Sequence, residues 1–357
     1  MDFSRIINEI MDKSAHPGTM PDFGSELYIP IRFDRKNFSK IGVAAGNKDA
    51  GENNNSNKRK VAFIDGGNNE ILSSPGYCLH LIRVYCCIYI NNKRSDSRKY
   101  EFFCLSSSVM KQGKITYEVK IYPVNYSIEI GDYDSFDNTL SQGGHRVNPS
   151  MICEAVRKLA EIDVASRISK ELNKGDIIVR DGDLLASTTY DKEFYDMLFR
   201  NAESRGVAVC GISKTTGMLT DTGHSLQCAL EKLAPEGAWY YNPLAENKNQ
   251  DHPADIFIVK LNEKSRYIFR LDIYKNPEYT NKDNNIDFLK LLVDNSNDPV
   301  FKGYPYGMIE ADRFARVSNS ESEYMLAKIK VSAGKRWDDI EKDMNSINAH
   351  EILDNIS

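Results

Sequence analysis

Two aspartates each follow an apolar, β-branched run and directly precede a glycine. The first lies in Val61-Ala62-Phe63-Ile64-Asp65-Gly66-Gly67, the second in Ile177-Ile178-Val179-Arg180-Asp181-Gly182-Asp183-Leu184. Val- and Ile-rich runs favour a buried strand, and glycine lets the backbone turn sharply after it. The pattern predicts two carboxylates at strand ends, on the rim of one sheet. Hard oxygen donors from two strands suit a single divalent cation of the Mg²⁺ or Mn²⁺ kind. The plainer reading is a pair of Asp-Gly turns that only terminate strands.

A helical pattern from 150 to 173 supplies a third carboxylate. Glu161 shares a stripe with Val164, Ala165, Ile168 and Leu172, by the i+3, i+4, i+7 and i+11 spacing of one helix face. A carboxylate on an apolar stripe needs a cation, because burying it alone costs several kcal/mol. Arg157, one turn earlier, or a metal would serve. Glu154 shares the face and is the rival; Asp163 falls on another stripe and is set aside. A fourth group comes from Gly303-Tyr304-Pro305-Tyr306-Gly307-Met308-Ile309-Glu310-Ala311-Asp312. There Glu310 and Asp312 project from the start of a mostly buried helix, a position the helix dipole also favours for structural reasons alone. Three or four carboxylates could hold two divalent ions, which clamp the attacking water and the leaving oxygen in phosphodiester cleavage. No Gly-rich phosphate loop and no serine nucleophile elbow occurs. The six histidines (16, 80, 145, 224, 252 and 350) show no His-x-x-x-His spacing.

The elements that must position these groups read as strands first, then helices alternating with strands. Strands are expected at 61–64, 77–90, 100–105 and 115–124, as an antiparallel meander that begins with the Asp65 strand. After an irregular stretch, 131–148, Pro149 sits where a helix can start. The Asp181 strand, a helix near 191–204 and a strand at 207–212 ending in Ser213-Lys214 follow. A strand pair is expected at 254–261 and 267–274, and helices near 285–294, 307–316, 319–331 and 336–354. Residues 3–14 read as an amphipathic helix with Phe3, Ile6, Ile7, Ile10 and Met11 on one stripe. Together these predict an α/β mixed-sheet domain. The strand pair and terminal helices would be insertions or a subunit interface.

The 357 residues suffice for one large domain or two ordinary ones. A net charge of −5 argues against a molecule that is basic overall, so any nucleic-acid contact must be local. Polar segments at 44–60 and 242–252 read as loops. Lys58, Arg59 and Lys60 close the first, as a solvated face or as a phosphate contact beside the Asp65 strand. Seven cysteines without a Cys-x-x-Cys pair fit buried free thiols better than disulfides or a zinc site. The N-terminal Met1-Asp2-Phe3-Ser4-Arg5 lacks a signal-peptide pattern and no apolar run reaches about 20 residues, so a cytoplasmic protein without membrane contact is expected.

The chain resembles the NurA family of DNA end-resection nucleases. The residues that carry this are Phe63-Ile64-Asp65-Gly66-Gly67, Arg157-x-x-x-Glu161, Val179-Arg180-Asp181-Gly182-Asp183-Leu184, Gly211-Ile212-Ser213-Lys214-Thr215, and Gly303-Tyr304-Pro305-Tyr306 with Glu310-Ala311-Asp312. Their order matches the family from about residue 60 to 320. The resemblance implies a ribonuclease H-like mixed sheet flanked by helices, with added helices and a strand pair. It implies a Mn²⁺- or Mg²⁺-dependent deoxyribonuclease of DNA repair, acting as a 5′–3′ exonuclease on DNA ends and a single-strand endonuclease. A homodimer working with a HerA-type hexameric translocase is implied as well. Carried over, Asp65, Glu161 and Asp181 fall on metal ligands. Asp312 stands where the family often has histidine after alanine, and Lys214 falls on a Ser-Lys element near the scissile phosphate. Lys58, Arg59 and Lys60 are the expected phosphate contacts, and Tyr304 and Tyr306 the expected stacking surfaces. The division expected is an N-terminal helix and loop (1–60), a nuclease domain (61–320) and a C-terminal helical extension (321–357). The alternatives are a non-catalytic nucleic-acid-binding subunit of the same fold and a related enzyme acting on RNA.

Overall fold

A computed structural model describes residues 3–15, 17–42, 59–141, 143–214, 217–276 and 288–345. Most of the 44–60 segment, Lys58 included, lies outside the described residues. Eleven strands pair into one sheet: β1 (Phe38–Lys40), β2 (Lys60–Ser74), β3 (Tyr77–Ile90), β4 (Lys93–Lys111), β5 (Lys114–Pro123), β6 (Tyr133–Asp134), β7 (Ile177–Asp181), β8 (Ala208–Ser213), β9 (Trp239–Tyr241), β10 (Ala254–Lys260) and β11 (Phe269–Tyr274). Their order is β1-β9-β10-β11-β8-β7-β2-β3-β4-β5-β6. β2, β7 and β8 run parallel at the centre, and the other neighbours are antiparallel. The helices are α1 (Phe3–Ala15), α2 (Pro149–Ser169), α3 (Asp191–Arg205), α4 (Leu226–Glu231), α5 (Leu289–Asn295), α6 (Tyr306–Ala315), α7 (Asn319–Ala333) and α8 (Trp337–Asn345). This is an α/β mixed sheet flanked by helices. No helix among the described residues is long and apolar enough to cross a membrane.

Strand alternation divides the core between two faces. Ala62, Ile64, Ile178 and Val209 pack with Ile152, Val156 and Leu159 of α2 and Leu198 of α3. Val61, Phe63, Val179 and Ile212 pack on the other side with Leu289 and Leu292 of α5 and Met308 and Ala311 of α6. Helices on both faces explain why the central strands read as continuous apolar runs rather than alternating ones. Parallel β7 and β8 need a crossover, which α3 provides. α2 begins at Pro149, after Asn148 caps it by accepting from the Ser150 N–H.

The sequence reading needs three corrections. β2 does not end at Asp65 but continues through Gly66-Gly67 to Ser74. The two glycines serve close approach, not a turn. A Cβ at Gly66 would lie 2.5 Å from Glu161 Oε1, and one at Gly67 2.5 Å from the Ala315 carbonyl oxygen. At the second motif the turn is real: Gly182 has φ +84°. Next, residues 21–40 are woven into the same unit. β1 pairs with β9, Pro21–Asp22 pairs with Leu219–Thr220, and Tyr28–Pro30 pairs with Ala245–Asn247. Residue 60 is therefore no boundary in the sheet. Lastly, β10 and β11 are not an appendage, because β11 hydrogen-bonds to β8 and extends the sheet. The C-terminal helices also pack on the sheet: Met325, Leu326 and Ile329 of α7 cover Ile71 and Leu81, and Ser318 and Glu321 start α7 with a capping box.

Candidate metal centre

β2 and β7 are parallel neighbours, with Ile64 registered against Arg180. Asp65 and Asp181 are the next residues on each strand. They stand side by side and, by alternation, face α6. Asp181 is also registered with Ile212 of β8, so Lys214 emerges next to it just past the strand. The Lys214 Nζ lies 2.5 Å from Asp312 Oδ1, 3.4 Å from Asp181 Oδ1 and 3.6 Å from Asp65 Oδ2. Asp312 comes down from α6. Ahead of that helix, the Tyr304 hydroxyl donates to Asp181 Oδ1 at 3.5 Å. Three segments far apart in sequence thus bring carboxylates to the ammonium group of a fourth, just past the parallel pairing of β2 with β7.

The cluster is graded in depth. Asp65 is 4% exposed, Asp181 is half-buried and Asp312 is exposed, so the cleft opens at Asp312. Burial, followed by the charges of Asp181 and Glu161, pushes the Asp65 carboxyl well above the usual aspartate range, and Lys214 only partly offsets this. Burial by itself would lower the Lys214 pKa. Asp181, the hydrogen bond to Asp312 and the Asp65 charge outweigh it and raise the group. Three carboxylates face one ammonium, and all the donor atoms are hard oxygens. That set fits a divalent cation such as Mg²⁺ or Mn²⁺ and lacks the thiolate or imidazole ligands that soft metals select.

A NurA domain model matches residues 59–317 of this chain. The chain belongs to the NurA family. It is a nuclease. No curated protein sequence matches it significantly. Solved structures resemble it weakly. The catalytic domain of human endonuclease V is 10% identical, covering 73% of this chain and 82% of that one, with a TM-score of 0.34. Ciona intestinalis endonuclease V, solved with inosine-containing DNA, is 10% identical over 76% of this chain and 87% of that one, with a TM-score of 0.35. Marinitoga piezophila Argonaute, solved with a guide RNA, is 12% identical over 76% of this chain and 31% of that one, with a TM-score of 0.33.

Among the residues that the NurA resemblance singled out, Glu161 stands apart from the Lys214 cluster. It lies on α2, across the sheet from Asp65, and approaches through the gap that side-chain-free Gly66 leaves. It is 1% exposed and held by two arginines. Arg157 pairs with its Oε1, and Arg180 reaches its Oε2 at 2.9 Å. The internal ion pair that the sequence allowed is present, with a second arginine added. Glu154 is exposed. Glu310 is buried elsewhere, accepting from Tyr85, Tyr89 and Arg94 at 2.9, 2.5 and 2.9 Å, which removes it as a ligand for this cluster.

The tyrosines and basic residues require further correction. The Tyr304 ring is 1% exposed and packs on Phe269 and Phe301. It offers no stacking surface, and only its hydroxyl reaches the cleft. Tyr306 is exposed and edge-on to Tyr89. Lys60 begins β2 and Arg59 precedes it, five and six residues, or about 17 and 20 Å, from Asp65 at the rise of an extended strand. They are not beside the site.

One supporting network was missed. Asp272 on β11 is fully buried. It binds Arg270 through both oxygens at 2.8 Å and His252 at 2.6 Å, and it accepts from the Leu184 N–H at 3.1 Å. It thereby pins the turn that follows Asp181. Arg270-Leu271-Asp272 is visible within a predicted strand, but the partner His252 is not adjacent in sequence.

Proposed function

We propose that this chain is a divalent-metal-dependent deoxyribonuclease of the cytoplasm, acting as a 5′–3′ exonuclease on DNA ends and an endonuclease on single strands. In this reading it serves double-strand-break end resection with a HerA-type translocase. The observation that carries the reading is the convergence of Asp65, Asp181 and Asp312 on one cation-favouring point in a cleft open at Asp312. Asp65, Asp181 and Asp312 would hold Mn²⁺ or Mg²⁺, which when bound polarises the phosphate and lowers the pKa of water. Lys214 is placed to neutralise charge on a phosphate oxygen as it develops. Asp272 keeps the turn after Asp181 rigid. Glu161, fixed by two arginines behind Gly66, contributes to the raised Asp65 pKa through its charge.

Labelled single-stranded DNA, duplex DNA and RNA, each incubated with Mn²⁺, Mg²⁺ or EDTA, test this. Both DNA substrates should be degraded with either metal and left whole in EDTA. Cleavage that persists in EDTA, or that is confined to RNA, overturns the assignment.

The homodimer is part of the same proposal. Phe3, Ile6, Ile7, Ile10 and Met11 of α1 are all exposed, a contiguous apolar stripe of the kind that seeks a partner surface. Light scattering at micromolar concentration should give twice 40.5 kDa. A monomer that stays monomeric with DNA and translocase present would rule the dimer out.

A further inference from the structure

Beneath the first turns of α2, away from the Asp65 cleft, lies a second concentration of ligating side chains. Cys78 and His80 are two residues apart on β3 and face α2 together. Cys153 descends on them from the helix. One ligand atom from each lies within 4.8 Å of the other two, and all three residues are buried. Glu70 is registered against His80 across β2 and β3. Its Oε2 lies 3.5 Å from Cys78 Sγ and 3.8 Å from His80 Nε2. In a tetrahedral zinc site, Zn–S and Zn–N lengths of about 2.3 and 2.0 Å space the ligand atoms about 3.3–3.8 Å apart. Glu70 meets that spacing to Cys78 and His80, while Cys153 Sγ, within 4.8 Å of the Cys78 and His80 ligand atoms, would have to move in to complete the set.

Two further observations separate this cluster from ordinary core filling. Ser106 is registered against Cys78, is fully buried, and its hydroxyl has no hydrogen-bond partner. A buried hydroxyl without a partner is uncommon and marks a polar pocket in an otherwise apolar layer. The His80 ring is also held from outside. Asn68 Nδ2 lies 2.7 Å from Nδ1, and the amide orientation is interchangeable. With Asn68 Oδ1 turned to accept from Nδ1–H, Nε2 keeps its lone pair, with the Ser150 hydroxyl 3.2 Å away and Glu70 Oε2 3.8 Å away, so that a metal would displace the Ser150 contact. Asn68 is thus arranged as the outer partner that sets the tautomer of a metal-bound histidine.

We propose that Cys78, His80, Cys153 and Glu70 form a structural zinc site. Two sulfurs and an imidazole select zinc over Mg²⁺ or Mn²⁺, unlike the all-oxygen set at Asp65. Binding transfers one proton from each thiol to solvent, and each thiolate then donates a lone pair to the metal. The ion ties β2 and β3 to α2 eight residues, or about 12 Å, ahead of Glu161, and so fixes the helix that presents it. No such signal is legible in the sequence, because a Cys-x-His and two single ligands from other elements match no familiar spacing.

The test uses the full chain, produced in zinc-supplemented medium and dialysed against EDTA before elemental analysis. About one zinc per chain is expected, retained in Asp65→Ala and in Cys210→Ser, a buried thiol on β8 outside the set. After metal exchange, cobalt should give a thiolate-to-cobalt charge-transfer band. Cys78→Ser with Cys153→Ser should lose both metal and band. If that variant does not fold, Glu70→Gln serves instead, and it should keep the band while binding zinc at least about tenfold more weakly in chelator competition. Folded wild type that holds no zinc and gives no cobalt band overturns the proposal, as does zinc that leaves with Asp65→Ala. Glu70→Gln binding as tightly as wild type overturns the four-ligand set.

Discussion

Asp65→Asn and Asp181→Asn will each reduce DNA cleavage by at least about a thousandfold while leaving the fold intact. Each change keeps the side-chain shape and removes one charge from the three that face Lys214. Metal-assisted charge stabilisation amounts to several kcal/mol, and each 1.36 kcal/mol is a factor of ten in rate. Asp65→Asn carries a second, opposite signature. The Asp65 carboxyl titrates in the folded protein well above the ordinary aspartate value of 3.8, so the fold disfavours its ionised form. Below 3.8 the group is protonated in folded and unfolded chains alike, and the substitution is neutral. As pH rises from there through the folded value, wild type loses stability that the asparagine variant keeps, and the gap persists above that window. At neutral pH in EDTA the inactive variant should therefore be the more stable protein. Cleavage rates and metal-free unfolding between acid and neutral pH measure both effects. Residual cleavage within tenfold of wild type, or a variant less stable than wild type at neutral pH, would break the link between Asp65 and a cation site.

What the sequence disclosed of this site follows from how local each signal is. The adjacency of Asp65 and Asp181 was legible because an apolar run followed by Asp needs only strand propensity and burial to be read. Lys214 and Asp312 were found through motif order, and the ladder and α6 bring them to the same point. The strand's course past Asp65 was not legible. Gly66 and Gly67 look like a turn until Glu161 and the Ala315 carbonyl are seen pressed against them. Tyr304 looked like a stacking platform because its motif places it near the site, but Phe269 and Phe301 bury its ring. Short strands such as Phe38–Lys40 carry too few residues for a period and exist because Trp239–Tyr241 offers an open edge. The depth of Glu161 was readable from its apolar stripe. Its second arginine was not, since Arg180 reaches it from β7, 19 residues away in sequence and on a different element.

That arginine is the most consequential residue for stability near the site. Arg180→Met should destabilise the folded protein by roughly 3–5 kcal/mol, the cost of removing one partner of a buried ion pair. Arg180 is 3% exposed. It donates to Glu161 Oε2 at 2.9 Å, to the Tyr195 hydroxyl at 2.7 Å and to the Asp183 carbonyl at 2.5 Å. Methionine matches the stem of the side chain but leaves Glu161 with Arg157 alone, and it strips a donor from the buried Tyr195 hydroxyl and the part-buried Asp183 carbonyl. Arg157→Met should cost less, because the Arg157 side chain is 30% exposed and water can replace part of its contact. Adding Glu161→Gln to Arg180→Met should recover a large part of the loss, since the penalty lies in the uncompensated charge rather than in the missing contact. Urea unfolding in EDTA of the two single variants and the double variant gives all three numbers. An Arg180→Met protein within about 1 kcal/mol of wild type, or a double variant less stable than the single one, would mean that Glu161 is not held as a buried charge. Its place behind Gly66 would then need another explanation.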